Sequence, residues 1–196
     1  MEETLLSFDV ASNVIPPLKS FISCIQECKT SLNLHQANVT YRHACSYGIE
    51  SDQFLGNFFI PLFVECGNLP HAEQLVKRFS SLNNHSWTSL IEGYIESGEY
   101  PHALNIYQKM RVSSSPPTTR AFVRILQSCA QHGCLQLGIV LHNDIKEITD
   151  LDDLQISTAL ISMYLQCGEL NNALTLFNKM TSHDVTVWTI VVSGYV

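Results

Sequence analysis

The residues that could ligate a metal or carry a proton do not assemble into a catalytic set. His71-Ala72-Glu73 has the spacing found in zinc deaminases, where the histidine binds zinc and the glutamate moves the proton. The same chemistry requires a Pro-Cys-x-x-Cys pair, and no Cys-x-x-Cys occurs anywhere in the 196 residues. Cys24 and Cys28 are four apart, and Cys129 and Cys134 five. The eight histidines are scattered, none at metal-ligand spacing from another ligand type. The serines at 113–115 lack the strand-turn-helix setting that exposes a nucleophile. The chain therefore reads as a non-enzyme, with no catalytic, metal or cofactor site.

Charge argues in two directions. Eleven Lys and Arg against eighteen Asp and Glu give a net charge of −7. Nucleic-acid binders usually carry a basic stripe, because neutralised phosphates release counterions and that release drives association. The basic residues here do fall in clusters, Lys77-Arg78, Lys109-Arg111 and Arg120-Arg124. Two readings stand side by side: a thin basic stripe, or, for the first two clusters, charges that complement the C-terminal ends of helices. Seven cysteines, an odd number without disulfide-framework spacing, point to buried small residues in a reducing compartment. No apolar run reaches the roughly 20 residues of a membrane span, so no membrane association is expected.

The elements that must position any functional residue are short helices in pairs. In Trp87–Met110, Trp87, Leu90, Ile91, Tyr94 and Ile95 recur at helical spacing, and Gly98 interrupts them. Pro101 then suits the first turn of a second helix, whose apolar face is Ala103, Leu104, Ile106, Tyr107 and Met110. One such hairpin cannot bury its own stripe. The chain supplies neighbours: at an offset of 101 residues Cys28 falls on Cys129, Asp52 on Asp153, Cys66-Gly67 on Cys167-Gly168, Trp87-Thr88 on Trp188-Thr189 and Gly93-Tyr94 on Gly194-Tyr195. Turn glycines Gly67, Gly98, Gly133 and Gly168 subdivide that period into steps of 31, 35 and 35. The text GNLPHA at Gly67 returns as GEYPHA at Gly98 and GELNNA at Gly168, which also accounts for His71 by its register with His102. Such periods predict a helical solenoid, each repeat resting on its neighbours.

With the phrases WTSLIEGY, MYLQCGEL and ALTLFNKM at residues 87–94, 163–170 and 173–180, the chain resembles the pentatricopeptide repeat family. The alternating unit lengths are similar to the plant organellar subclass that cycles long, short and standard repeats. The family frame gives an N-terminal extension 1–17, then repeats 18–52 (long), 53–83 (short), 84–118 (standard), 119–153 (long) and 154–184 (short), with 185–196 a truncated standard repeat. The resemblance implies an all-α, right-handed superhelical solenoid of antiparallel helix-turn-helix repeats. It also implies binding of single-stranded RNA, one base per repeat, as an adaptor in editing or processing, with a deaminase or editing cofactor supplied in trans. The alternatives are a protein-interaction scaffold, and a truncated product without a role of its own. Mitochondrion or plastid is the implied location, although residues 1–17 hold Glu2, Glu3 and Asp9 and no Lys or Arg, unlike a transit peptide. That start is expected from truncation or from lost targeting.

Carried over residue by residue, base choice falls to the fifth and last residues of each repeat. These are Asn57 with Asn83, Thr88 with Thr118, Thr158 with Asp184, and Thr189. The resemblance implies a pyrimidine for the first pair and guanine for Thr158 with Asp184. Thr88 implies a purine, and Thr118, departing from the usual Asp or Asn, leaves the choice open. Ile22 and Val123 occupy the fifth position of the long repeats and cannot hydrogen-bond a base, so those repeats read as spacers. Second-position residues wedge between bases in the family. Phe54, His85 and Arg120 have the planar groups to stack there, whereas Lys19, Gln155 and Thr186 do not.

Overall fold

Short polar residues before each apolar run and glycines after it favour short, capped helices, and the computed structural model has them. It describes residues 18–49, 52–79, 81–148 and 153–194, so the extension 1–17 and the last two residues of the chain lie outside the described part. The described helices are α1 (Leu18–Ser31), α2 (Leu34–Ser46), α3 (Gln53–Glu65), α4 (Leu69–Arg78), α5 (Asn84–Glu96) and α6 (Tyr100–Arg111). They continue with α7 (Thr119–His132), α8 (Leu135–Ile148), α9 (Leu154–Gln166), α10 (Leu170–Lys179) and α11 (Val185–Ser193). No strand occurs among the described residues, and the fold is all-α, built of helix-turn-helix repeats.

Many of the helix starts and the hairpin turns are chemically specified. Asp52 accepts from the Leu55 N–H, Asn83 from Ser86, Thr118 from Ala121, Asp153 from Gln155 and Ile156, and Asp184 from Val187. A cap of this kind stabilises its helix by about 1 kcal/mol. Between the helices of a hairpin the chain passes through left-handed backbone, at Gly67, Gly98, Gly133 and Gly168 with φ from +71° to +79°. Glycine takes that conformation without the Cβ clash other residues suffer. The first hairpin lacks the glycine, and Leu32 takes the position at φ +49°, the one non-glycine residue with positive φ among the described residues. Asn33 then caps α2 through the Gln36 N–H. Pro61 lies buried inside α3, which runs on to Glu65.

The chain forms two compact units, the first ending at Phe79. In the first, α1 and α2 pack as one hairpin, α3 and α4 as another, and α1 lies on α3. Phe21, Ile25, Phe59 and Phe63 are buried there, and Tyr41 meets Phe59 and Phe63 edge-on at 5.2 and 5.8 Å. The Tyr41 hydroxyl accepts from Arg78 Nη1 at 2.8 Å. Gly56 makes room for Phe79: a Cβ there would come within 2.6 Å of the ring.

The second unit holds α5 to α11. Its first helices pack in sequence, α5 on α7, α7 on α9 and α9 on α11, while α6 packs on α8 and α10 on α9. Beneath this layer, buried Tyr107 donates to Asp144 Oδ2 at 2.7 Å. Arg111 pairs with the same carboxylate at 3.2 Å and with Glu147 at 3.5 Å. The basic clusters thus have different uses. Arg78 and Arg111, both exposed, are tied to Tyr41 and Asp144 of neighbouring helices, and Lys77 pairs with Glu73 at 3.1 Å. Cys28 and Cys129 are buried, whereas Cys66 and Cys167 end α3 and α9 and are half-buried; all seven cysteines are free thiols. Among the described residues no helix is long and apolar enough to cross a membrane, and no His, Cys, Asp or Glu group could hold a metal ion.

Candidate nucleic-acid interface

Two cavities open between successive first helices of the second unit. The first, of about 400 Å³, is lined from α5 and its cap by Asn83, Asn84, His85 and Thr88, and from α7 and its cap by Thr118, Arg120, Ala121 and Arg124. Thr88, with Thr118 opposite, donates its hydroxyl proton to the Asn84 carbonyl at 2.6 Å, so only oxygen lone pairs remain to meet a ligand. The Thr118 N–H donates to Asn84 Oδ1 at 3.2 Å and ties the two helix starts together. Arg124 enters from the next repeat. Its Nη2 donates to Glu92 Oε2 at 2.6 Å and its Nη1 lies 3.5 Å from His85 Nδ1. Burial pushes the Glu92 carboxyl up from its ordinary value, and Arg124 opposes that shift.

The second cavity, of about 540 Å³, has a different electrostatic character. Val123 and Gln127 of α7, Gln155, Thr158 and Ser162 of α9, and Asp184, Thr186 and Ile190 at the start of α11 line it. Thr158 donates to the Leu154 carbonyl at 2.6 Å and, like Thr88, presents an acceptor. Asp184 Oδ1 is engaged by the Val187 N–H at 2.8 Å, which leaves Oδ2 to accept. No cationic side chain lines this cavity. Arginine donors enter the first site, whereas the second sets the Asp184 carboxylate among hydroxyl and amide side chains.

The residues singled out from the sequence are distributed as follows. Thr88, Thr118, Asn83, His85 and Arg120 share the first cavity, and Thr158 and Asp184 the second, where Gln155 and Thr186 join them. Asn57 is half-buried on α3 in the first unit. Phe54, on the same helix, is 53% exposed and edge-on to Phe58 at 5.1 Å. Thr189 is exposed on α11 and donates to the Val185 carbonyl at 2.7 Å. Asn84, Arg124, Gln127 and Ser162 were not singled out as base contacts. For Arg124 the signal was present, since Arg120 and Arg124 stand i,i+4 on one face of α7. Val123, read as a spacer, is part of the wall of the second cavity.

Paired helices of 9 to 14 residues, turning at left-handed glycines and opening polar cavities between their first members, define a helical-hairpin repeat protein. The family model for the PPR repeat matches residues 85–114 and 156–185, the stretches that supply Thr88 and, with Asp184, Thr158. Over those two stretches the chain carries repeats of the pentatricopeptide repeat kind. It is 28% identical over 98% of its length to the Arabidopsis thaliana "Pentatricopeptide repeat-containing protein At3g53360, mitochondrial", of which it covers 26%. It is likewise 28% identical over 93% of its length to "Pentatricopeptide repeat-containing protein At1g15510, chloroplastic" of the same plant, covering 21% of that protein. To "Pentatricopeptide repeat-containing protein At4g19191, mitochondrial" it is 29% identical over 92% of its length and covers 28%. The chain thus spans about a quarter of the length of these relatives.

Proposed function

We propose that the chain binds single-stranded RNA in an organelle, one base to a repeat, as an adaptor for RNA editing or processing. The observation that carries this reading is the second cavity, which Thr158 and Asp184, the fifth and last residues of repeat 154–184, both line, each side chain bonded to the helix it starts. Guanine carries two donors on its pairing edge. Asp184 Oδ2, and the Thr158 oxygen whose proton goes to the Leu154 carbonyl, are acceptors, and two acceptors match two donors. The mitochondrial and chloroplastic relatives support an organellar setting. The alternation of long, short and standard repeats supports membership of the plant subclass that serves editing, with a deaminase acting in trans.

The test is selection of a randomised single-stranded RNA pool on the chain at low salt. A short motif should emerge with guanine at one position. The variant Thr158→Asn exchanges a fixed acceptor for an amide that both donates and accepts, and it should move that position from G to U without changing its neighbours. No retention of RNA at low salt would overturn the proposal in favour of a protein-interaction scaffold.

A further inference from the structure

The first cavity contains a side chain that the pairing of fifth and last residues does not involve. From its geometry we propose that Arg124, reaching back from the following repeat, is the specificity-determining residue of the Thr88 site and selects guanine there. This rests on the RNA-binding reading above and extends it to a site that Thr88 and Thr118 leave undecided.

Thr118 supplies no carboxylate or amide, and its hydroxyl oxygen already accepts from the Ala121 N–H at 3.4 Å. Thr88 is buried and offers an acceptor only. Between them the two threonines distinguish purines poorly. Arg124 is held in place from behind. Glu92, with only 16% of its side chain exposed, grips Nη2 at 2.6 Å, and the guanidinium plane comes to rest beside His85. A guanidinium has five N–H donors and no acceptor. One of them is spent on Glu92 and one turns toward His85, so the rest of the fork remains for a ligand in the cavity it lines. A donor-only fork matches the O6 and N7 acceptors of guanine, and it meets an opposing amino group on adenine. Lysine would keep the charge but lose the planar fork. Glu92 serves as the positioning residue, and Arg124 makes the base contact.

The experiment compares the parent chain with Arg124→Gln, Arg124→Lys and the double variant Glu92→Gln/Arg124→Gln on the same randomised RNA pool. The double variant guards against an unpaired half-buried Glu92 disturbing the fold, and circular dichroism checks that all four chains are equally helical. The parent should enrich guanine at two positions, one for each cavity. Glutamine pairs with the adenine N6 and N7 edge, so both glutamine variants should turn the Thr88 position from G to A, with the G/A ratio falling roughly tenfold or more. Arg124→Lys should flatten the preference, and the guanine read by Thr158 and Asp184 should persist in every variant. If Arg124 instead holds a phosphate, its loss weakens all sequences alike and lowers the salt slope by about 0.7; that result, or an unchanged motif at the Thr88 position, overturns the inference alone. A parent chain that enriches no motif overturns it together with the RNA-binding reading.

Discussion

Asp184 caps a helix and, on the proposed reading, accepts from a base, and the two roles can be separated by substitution. Its Oδ1 caps α11 through the Val187 N–H at 2.8 Å, and it also lines the second cavity. Replacement by alanine removes both roles. Loss of the cap should cost about 1 kcal/mol of stability, and loss of the acceptor about 1–3 kcal/mol of discrimination between bases, by analogy with base readout in DNA. Replacement by asparagine separates the two, because asparagine caps as well as aspartate. Only the favourable charge at the helix N-terminus is lost, roughly 0.3–1 kcal/mol. Asp184→Asn should therefore unfold within about 1 kcal/mol of the parent yet lose the preference for guanine. Denaturant unfolding followed by circular dichroism measures the first quantity. Fluorescence anisotropy with two labelled RNAs, identical except for G or A at the selected position, measures the second. If Asp184→Asn retains the parent's G/A ratio while Asp184→Ala is destabilised, Asp184 is a helix cap and nothing more, and the assignment of this cavity to guanine fails.

Other consequences concern the packing and the charge of the chain. Tyr107→Phe deletes the bond from a buried hydroxyl to the Asp144 carboxylate, which Arg111 still partners; it should lower unfolding stability by about 1.5–3 kcal/mol, the range for bonds to charged groups, and a loss below about 0.5 kcal/mol would show the network is not formed. Burial, together with Lys146 and Lys179, lowers the His142 pKa from 6.5 to about 4. The neutral ring therefore stabilises the fold fully above pH 6.5 and progressively less as the pH falls toward 4. Between pH 7 and 5 the parent should lose about 2 kcal/mol that His142→Leu does not lose, read from denaturant midpoints at both pH values. RNA affinity should depend weakly on salt, with two or three phosphates neutralised at about 0.7 each in the logarithmic slope. A steep slope would mean that more basic side chains reach the RNA than the first cavity supplies.

The fold was legible because its signals are local. Helix starts follow from Asp52, Asn83, Thr118, Asp153 and Asp184, short side chains that bond the following turn, and hairpin turns follow from glycines that tolerate positive φ. The exception is the first hairpin, where Leu32 takes the positive φ in place of a glycine. Thr158 and Asp184 line one cavity, and their pairing came from the family resemblance, which matches the fifth residue of a repeat with its last. Arg124 could not be assigned in the same way. Its position is fixed by Glu92, 32 residues earlier, and no spacing rule within one repeat connects them. Nor did the sequence decide which basic clusters face outward. Arg78 is bound to Tyr41 and Arg111 to Asp144, and those pairings depend on how one hairpin lies on the next.

The same local bonds that make the helices start also limit what the cavities can read. The last residue of each repeat must cap a helix, so it is drawn from the short polar side chains that do this well, and the residues found there are Asp, Asn and Thr. The threonines at the fifth position give their protons to the carbonyl four residues back, in Thr88, Thr158 and Thr189 alike. Each then confronts a ligand as an acceptor of fixed direction, and no proton has to be reoriented on binding. One such threonine and one capping carboxylate offer acceptors, so that pair by itself favours donors. To favour acceptors, the protein must bring in a side chain from outside that pair. In the first cavity an arginine held by a half-buried glutamate is such a side chain, and on the proposed reading its guanidinium meets a base edge. On the proposed reading, a chain of net charge −7 selects bases with few cations, fixed, as Arg124 is by Glu92, through the packing of one repeat on the next.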